Sequence, residues 1–432
     1  MFQHDNIRVD FNRADFSNLV LPPGDTAVLR ELAGRVAEIA ARPDMLARRQ
    51  LWKDHNALRR PRPVVFCDPE NGWNEIIPED QIRCVNSVAR HWECYLRKLV
   101  FWGDQIHDDY PVEALLFIPV VHQAVPWLVA GVDRKPSLKS TDLTGGAYHI
   151  DPLLDSYDQV KDLIEARYDL DHETTARVLA LAQETFHGLL EVRQDTFWFW
   201  SVGLCDDFAF LRGLENLLYD FYEEPDGIHA LMERLMKGQM ERLDLLEAKG
   251  LLTLNNDSHY VGSGGIGYVD ELPGPDFDGR VKTRHLWGLA ESQVTVGVSP
   301  EHFGEFIFPY QKPIMERFGL SCYGCCEPMD NRIDIVKQVK NLRRVSCSPW
   351  SNKRIMAEKL GRDYIFSLKA NPAPLATTTL DEDFVRKQLR EEIQAAKDCC
   401  LEVIMKDNHT LGRNPRNLTR WVEIAREEIA SL

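Results

Sequence analysis

The chain of 432 residues is 44% hydrophobic and carries a formal net charge of −16. This hydrophobic content is ordinary for a protein with a sizeable core, and no apolar run approaches the roughly 20 residues that span a bilayer. The negative charge, which no basic stretch offsets, argues against binding of nucleic acid or anionic lipid. We therefore expect small molecules and other proteins as partners, and no membrane or nucleic acid.

The amino terminus and the cysteines bear on the cellular compartment. Residues 1–16 are polar and acidic, unlike a secretory signal or a transit peptide. The ten cysteines include the doublets Cys325-Cys326 and Cys399-Cys400. In a chain of enzyme size without a signal peptide, this usage favours reduced thiols. We expect a cytoplasmic protein.

Residues 1–62 are predicted to form an N-terminal helical extension. Asp25 is in position to cap a helix in which Leu29, Leu32, Val36 and Ile39 recur at helical spacing. Pro43 ends this helix, and a second helical piece follows.

From residue 63 to residue 432, short apolar segments alternate with amphipathic helices. The long gap from Pro126 to His187 is predicted to hold extra helices. The predicted helices include Glu79–Ile106, Asp207–Lys249, Ser299–Phe318 and Asp381–Asp398. The predicted strands are Pro63–Cys67, Ala114–Val121, Leu189–Phe199, Leu251–Asn255, Gly319–Tyr323, Arg343–Cys347, Tyr364–Leu368 and Leu401–Met405.

Eight strands that alternate with helices predict an α/β fold, a (β/α)8 TIM barrel spanning residues 63–432. A doubly wound open sheet uses the same alternation. Neither a GxGxxG loop nor a GxxxxGK[ST] loop is present, however, so the nucleotide-binding version of that sheet is disfavoured.

In a barrel, catalytic residues lie at the carboxyl ends of the strands. Asp257 and His259 follow the fourth predicted strand and are candidates for an acid/base pair or for metal ligands. The alternative is a polar surface loop, and the glycine-rich run 261–267 that follows resembles a mobile lid. Glu291 stands between apolar residues, where a carboxylate needs a partner, so it is a candidate ligand or general base. It is equally consistent with an exposed helix position.

Cys325, Cys326 and Glu327 stand side by side after a short apolar segment. Soft thiolates at a strand end suit zinc, although adjacent cysteines also occur as small buried residues. His409 follows the last predicted strand, which would open onto the same face. Two thiolates, a carboxylate and an imidazole would complete a zinc site or leave one position open for substrate.

The third predicted strand is aromatic, with Phe197-Trp198-Phe199-Trp200 in succession. Most of this run is expected in the core. Trp198 or Trp200 would nevertheless be placed to wall an aromatic substrate pocket, and Tyr323, just before the cysteines, is a third candidate for substrate binding.

Several stretches together resemble the uroporphyrinogen decarboxylase superfamily. They are Ser299–Phe306 (SPEHFGEF), the pair Pro309-Tyr310, the cysteine motif after the next strand, and Phe208–Leu231 with its EPDGIH ending. The resemblance extends from Pro63 to the carboxyl terminus. It implies a (β/α)8 barrel and one of two chemistries: metal-free decarboxylation, or zinc-dependent methyl transfer with a corrinoid protein or a thiol acceptor.

The resemblance favours the methyltransferase branch. The Arg-Gln-Ala-Gly-Arg motif of the decarboxylases is not found, and the cluster Arg59–Arg62 is no substitute for it. The methyltransferases carry His-x-Cys at one strand end and a further Cys after the last strand. Here Tyr323-Gly324-Cys325 occupies the first pattern, with Tyr in place of His, and His409 lies near the second. Cys326 or Glu327 would fill the remaining ligand position.

The resemblance thus implies a methyltransferase that takes a methyl group from a small donor, with an aromatic methoxy compound favoured by the tryptophans. Zinc would polarise the leaving group or activate a thiol acceptor, and Asp257, His259 or Glu291 would handle the proton. No corrinoid-binding motif is evident, so a separate corrinoid protein would be required. A homodimer is implied by superfamily precedent. The alternatives are a metal-free decarboxylase or lyase, and a non-enzymatic binding or scaffolding protein.

Overall fold

The computed structural model of the protein describes residues 14–133, 137–140, 148–196 and 201–432. Its strands are β1 (Val64–Cys67), β2 (Leu115–Pro119), β3 (His122–Val125), β4 (Leu128–Val129), β5 (Ser137–Ser140), β6 (Tyr148–Asp151), β7 (Leu163–Ile164), β8 (Arg167–Leu170), β9 (Glu191–Asp195), β10 (Trp287–Ala290), β11 (Leu320–Tyr323), β12 (Leu342–Cys347), β13 (Ile365–Lys369) and β14 (Cys400–Met405).

The α-helices are α1 (Pro23–Ala40), α2 (Pro43–Asn56), α3 (Trp73–Ile76), α4 (Ser87–Phe101), α5 (His172–Thr185), α6 (Cys205–Arg212), α7 (Leu214–Glu223), α8 (Pro225–Lys249), α9 (Pro300–His302), α10 (Phe308–Met315), α11 (Ile333–Val336), α12 (Lys353–Leu360), α13 (Glu382–Ala395) and α14 (Arg416–Ala430). Single π-helical turns continue α4 (Trp102–Ile106) and join α9 to α10 (Phe303–Ile307). None of the helices in the described part of the chain is long and apolar enough to cross a membrane.

The centre of the fold is a six-stranded parallel sheet in the order β1-β14-β13-β12-β11-β10. Nearly every residue of these strands is buried, as expected for a parallel sheet that is covered on both faces. A separate parallel pair joins β2 to β9. The mixed α/β fold class is therefore confirmed, and the closed eight-stranded barrel stays a prediction.

The segment Leu251–Asn255, predicted as a strand, has no strand pairing, and this prediction is wrong. The reason is a side chain. The Asn255 carboxamide accepts a hydrogen bond from the Trp287 backbone N–H (3.0 Å) and donates one to the Trp287 carbonyl (3.0 Å). The Asn255 side chain therefore occupies the backbone N–H and carbonyl of Trp287, which a neighbouring strand would otherwise use at this edge of β10. The strand β10 itself was not among the predicted strands.

The described residues between β2 and α5 form an antiparallel ribbon, and of the helices predicted between Pro126 and His187 the described residues contain α5 and a short 3-10 helix, Tyr157–Asp162. Its three nested pairs are β3 with β8, β4 with β7, and β5 with β6. One helix, α5, follows this ribbon. Apolar and polar residues alternate in β6 (YHID) and in β8 (RYDL), which is the period of a strand rather than of a helix.

Two helices, α1 and α2, precede the first strand. The predicted capping role of Asp25 is wrong, because α1 already begins at Pro23. The Asp25 carboxylate instead accepts hydrogen bonds from the backbone N–H groups of Val85 (3.1 Å) and Asn86 (2.8 Å), just before α4. Leu29, Val36 and Trp52 belong to the same buried cluster as the sheet, so the two helices share its core.

The glycine-rich segment 261–267 crosses the sheet as buried chain, not as a mobile surface lid. Gly264 has φ +131°, a conformation that favours glycine, and a Cβ there would collide with Ile404 of β14. A Cβ at Gly265 would collide with the Arg344 guanidinium. The glycines therefore allow the backbone to pass close to the strands, and this passage carries Ser263 to the end of the sheet.

Candidate active site

The polar side chains of the candidate site lie where parallel strands end. Cys325 follows β11, Lys369 is the last residue of β13, and Lys406 follows β14. The chain turns after β11 at Gly324, which has φ +92° and donates its N–H to the carbonyl of Ala290 (2.9 Å). Because the carboxyl ends of parallel strands share one edge, these residues converge.

Cys325 is almost fully buried and has polar partners on both its side chain and its backbone. The Ser263 hydroxyl donates a hydrogen bond to Cys325 Sγ (3.0 Å), and Lys369 Nζ donates in turn to the Ser263 hydroxyl. The Cys325 N–H donates to Glu327 Oε2 (2.9 Å). A chain of hydrogen bonds thus links the ammonium of Lys369 to the sulfur of Cys325.

Cys326 lies beside Cys325, with 3.5 Å between the two Sγ atoms, and its own Sγ is 3.7 Å from Asp407 Oδ2. The hydrogen bond from Cys326 is the largest of the causes that lower the pKa of Cys325 to about 6. The charges of Lys369 and Lys406 act in the same direction, against burial. The same hydrogen bond, burial and nearby negative charge raise the pKa of Cys326. Cys325 is therefore a thiolate near neutral pH, and Cys326 is a thiol.

The two lysines are fully buried and differ in their surroundings. Burial lowers the pKa of Lys369, although the negative charge of Cys325 opposes this effect. Burial acts against the charge of Lys406 too, but Glu70 (3.3 Å) and Asp407 (3.5 Å) outweigh it and hold the pKa of Lys406 well above its usual value. Lys406 is therefore a fixed positive charge, and Lys369 is the lysine better placed to exchange a proton.

A cluster of carboxyl groups lies on the side of β10. Glu327 accepts hydrogen bonds from the Ser292 N–H (2.8 Å) and from the Cys325 N–H (2.9 Å). Glu291 is buried directly after β10, not on an exposed helix, and accepts a hydrogen bond from the Gln293 N–H (2.8 Å). Burial, followed by the charges of Asp206 and Glu327, raises the pKa of Glu291 well above its usual value. Burial and the neighbouring carboxylates therefore favour the protonated form of Glu291.

Tyr323 is the last residue of β11 and is completely buried. Its hydroxyl donates to Gln311 Oε1 (2.7 Å), and Gln311 Nε2 donates to the Glu291 carbonyl (2.9 Å). The structure thus places Tyr323 in the core behind Glu291, where it supports the backbone of the site and has no exposed surface for a substrate. Trp198 and Trp200, the other predicted substrate-binding residues, lie outside the described residues.

Asp257 and His259 belong to a second polar cluster, next to the β2–β9 pair. His259 Nδ1 contacts Asp257, and His259 Nε2 lies 3.3 Å from Asp195 Oδ1 at the end of β9. The imidazole packs edge-on against Phe117 of β2, with ring centroids 4.6 Å apart. The predicted pairing of Asp257 with His259 is present, but its contacts are with β2 and β9 rather than with the thiols.

The predicted zinc ligands are brought together only in part. Cys325 and Cys326 are adjacent, but Glu327 turns its oxygens to backbone N–H groups. His409 is exposed, with its Nδ1 3.4 Å from the Asn71 side chain. Across the described ranges, no three His, Cys, Asp or Glu side chains form a group that could hold a metal ion. This arrangement of Cys325, Cys326, Glu327 and His409 does not fit a four-ligand zinc site.

Sequence reasoning missed Ser263, Lys369, Lys406 and Asp407. Lys369 stands one residue past a predicted strand, so the rule that selected the cysteines would have selected it too. Lys406 and Asp407 precede His409, which drew attention because imidazole is a common zinc ligand. Nothing in the sequence pattern indicates that the glycine-rich run carries Ser263 to the thiol.

Comparison of the chain with models of known protein families and with curated proteins yields no match.

Proposed function

We propose that this protein is a methyltransferase in which Cys325 takes up the methyl group of a small donor. The observation that carries the proposal is the hydrogen-bonded series Lys369–Ser263–Cys325 at the carboxyl ends of parallel strands. A buried thiol with a cationic relay on one side and a second thiol on the other is arranged as an activated nucleophile. The resemblance to the uroporphyrinogen decarboxylase superfamily supports methyl transfer as the reaction.

In the proposed step, the Cys325 thiolate attacks the methyl carbon of a methoxy donor. The S–C bond forms as the C–O bond breaks, and the oxygen leaves with the electron pair. Lys369 supplies the proton that neutralises the leaving oxygen, through the Ser263 hydroxyl, and its lowered pKa makes it a stronger acid than a solvated lysine. The methyl group then passes from sulfur to the acceptor, which restores the thiolate, and Lys369 regains a proton from solvent. The acceptor is a thiol or a reduced corrinoid carried by a separate protein.

The proposed step is written without zinc, because Glu327 and His409 do not complete a site around the two thiols. The zinc hypothesis is tested separately by elemental analysis of protein prepared without chelator, beside Cys325→Ala. About one zinc per chain that is lost in the variant would return the metal to the mechanism.

The proposal is tested with guaiacol as the methyl donor and reduced cobalamin as the acceptor. We expect methylcobalamin to form with the parent protein and with Cys347→Ser, which changes a buried thiol at the end of β12. In Cys325→Ser the rate should fall by about a thousandfold or more, because the nucleophile is lost. Without acceptor, mass spectrometry should find the methyl group on the Cys325 peptide. Equal rates in Cys325→Ser and the parent would refute the proposal.

A metal-free carboxy-lyase is the second candidate, and one observation favours it. Lys369 and Lys406 are two buried lysines at the ends of adjacent strands, and such a pair attracts a carboxylate substrate. Release of CO2 from uroporphyrinogen in the presence of chelator, lost in Lys369→Met and kept in Cys325→Ser, would establish this function instead. If neither reaction occurs, the third hypothesis, a binding or scaffolding protein, takes precedence. A homodimer remains part of the proposal and is tested by sedimentation.

A further inference from the structure

A cavity of about 310 Å³ lies at the base of the antiparallel ribbon, and neither Cys325 nor Cys326 is among the residues that line it. The ribbon forms one wall, with Trp127 between β3 and β4 and Tyr168 on β8. The helices α6 and α8 form the other wall, with Asp207 and Phe210 on α6 and Arg242 on α8. Natural ligand sites begin at about this size, and a cavity of about 150 Å³ already holds benzene.

The walls of the cavity are aromatic and their rings are fixed. The Arg234 guanidinium lies 5.9 Å from the Trp127 ring centroid, and Glu165 holds that arginine in an ion pair. His122 packs edge-on against Tyr168, with ring centroids 4.8 Å apart. Phe210 adds a third ring to the lining. Because these contacts restrict the motion of the rings, the cavity presents preformed aromatic surfaces, against which a planar ligand can stack at little entropic cost.

The polar groups of the cavity are suited to an anion. Arg242 stacks on Tyr168 at 5.7 Å, and within the described ranges its buried Nε has no hydrogen-bond partner. Burial raises the pKa of Asp207, against the charge of Arg242, so the charged form of the acid that faces this arginine is disfavoured relative to a solvated aspartate. Arg242 lines the cavity, and a guanidinium can bind a carboxylate there through two parallel hydrogen bonds.

We propose that this cavity is a binding site for a small aromatic carboxylate. The ring of the ligand stacks between the side chains of Trp127, Tyr168 and Phe210, and its carboxylate accepts hydrogen bonds from Arg242. The proposal does not depend on the function of Cys325, because none of the residues that line the cavity belongs to the thiol site.

The test is a calorimetric titration of the full chain with benzoate, benzamide and cyclohexanecarboxylate. Benzamide has the same shape without the charge, and cyclohexanecarboxylate has the charge without the flat ring. We expect benzoate to bind at least about tenfold more tightly than either, since charge-assisted hydrogen bonds and ring stacking each contribute to its affinity. Equal binding of benzoate and benzamide, or no binding of benzoate, would overturn the proposal.

Two variants assign the binding to this cavity. Arg242→Gln should weaken benzoate by about tenfold or more and leave benzamide unchanged. Arg167→Gln is the matched control, because Arg167 also lines the cavity but is paired with Asp169 at 3.1 Å. It should change benzoate affinity by less than about threefold.

A second approach does not depend on the stability of Arg242→Gln. Ala166→Phe fills the cavity from the ribbon and should abolish benzoate binding, whereas Cys325→Ser should leave it intact. Unchanged benzoate affinity in both Arg242→Gln and Ala166→Phe would show that benzoate binds elsewhere. Failure of methyl transfer in Cys325→Ser with normal benzoate binding keeps the two proposals separate.

Discussion

The two thiols of the doublet are neighbours in sequence and opposites in electrostatic environment. Cys325 receives hydrogen bonds from Ser263 and Cys326, whereas Cys326 faces Asp407. A negative sulfur is stabilised by donors and cations and destabilised by a carboxylate. The order of the two cysteines along the turn after β11 therefore decides which of them is favoured as the thiolate.

This difference predicts the pH dependence of alkylation. In protein treated with chelator, the rate of iodoacetamide reaction at Cys325 should rise with pH around a midpoint of about 6, because only the thiolate reacts. Burial slows the reaction at every pH but leaves the midpoint unchanged. Peptide mass spectrometry across a pH series measures the reaction at each cysteine.

Two comparisons make the alkylation experiment specific. Cys326→Ala removes the largest stabilising hydrogen bond, so the Cys325 midpoint should move up towards its ordinary value of 9.0. Cys347 serves as the internal reference, since burial raises its pKa to about 12. A Cys325 midpoint that is the same with and without Cys326 would contradict the geometry described above.

At the scale of elements, the glycine-rich segment shows how a loop becomes part of the core. Residues 261–269 are all buried, and Tyr260 pairs with Ile266 in an isolated antiparallel bridge. Without side chains at Gly264 and Gly265, the segment fits against β14 and Arg344. Its path positions Ser263 next to both Lys369 and Cys325. The segment is therefore a structural support of the site.

We expect Gly264→Ala to be more destabilising than Gly279→Ala. Both glycines have positive φ (+131° and +92°), so each substitution costs about 1–3 kcal/mol in backbone strain. No atom lies within 4 Å of a Cβ at position 279, whereas a Cβ at position 264 meets Ile404. Overpacking should add about 1–3 kcal/mol at position 264 alone. Urea unfolding of the two variants measures the difference, and equal losses would mean that the segment is free to move.

The sequence predicted five of the six central strands and missed what depends on side chains from distant segments. The strands β1, β11, β12, β13 and β14 lie within one residue of their predicted positions, because each is a short segment with apolar residues between two helical patterns. Leu251–Asn255 has the same composition, yet Asn255 bonds to Trp287 in place of a strand ladder. Likewise, residue type identified the thiols, but only the folded chain brings Ser263 and Lys369 to them.

At the scale of the whole molecule, a buried ionic network joins the first helices to the sheet. Glu402 of β14 accepts hydrogen bonds from Arg344 Nε of β12 (3.0 Å) and lies 3.0 Å from His55 Nε2 of α2. Arg344 Nη2 also donates to the Asn56 side chain (2.6 Å). A buried charge without a partner is strongly destabilising, so neutralising one member of this network leaves the remaining charges uncompensated and destabilises the fold. The packing of α2 on the sheet therefore depends on protonation.

The network predicts the pH range of greatest stability. Burial raises the pKa of Glu402, but Arg344 and His55 outweigh burial and lower this pKa to about 2. The ionised Glu402 therefore stabilises the fold fully above its ordinary pKa of 4.5, and this contribution is lost as pH falls towards 2. Burial lowers the pKa of His55, but Cys400 and Glu402 raise it to about 9. Its stabilisation is complete below the ordinary value of 6.5 and is lost as pH rises through 9. Both contributions are therefore complete between pH 4.5 and 6.5.

His55→Gln should remove the alkaline part of this profile. Between pH 6.5 and 9, the loss of the His55 charge alone should lower the free energy of unfolding of the parent by on the order of 3 kcal/mol. The variant should be less stable than the parent at pH 6.5, and its free energy of unfolding should change less over this interval. His229→Gln is the control, because His229 bonds to the neutral Tyr310 hydroxyl (2.8 Å) and should leave the profile of the parent in place. Urea unfolding at a series of pH values measures all three proteins. If His55→Gln loses stability over this interval as steeply as the parent, His55 is neutral in the folded state, and the join between α2 and the sheet rests on Arg344 and Glu402 alone.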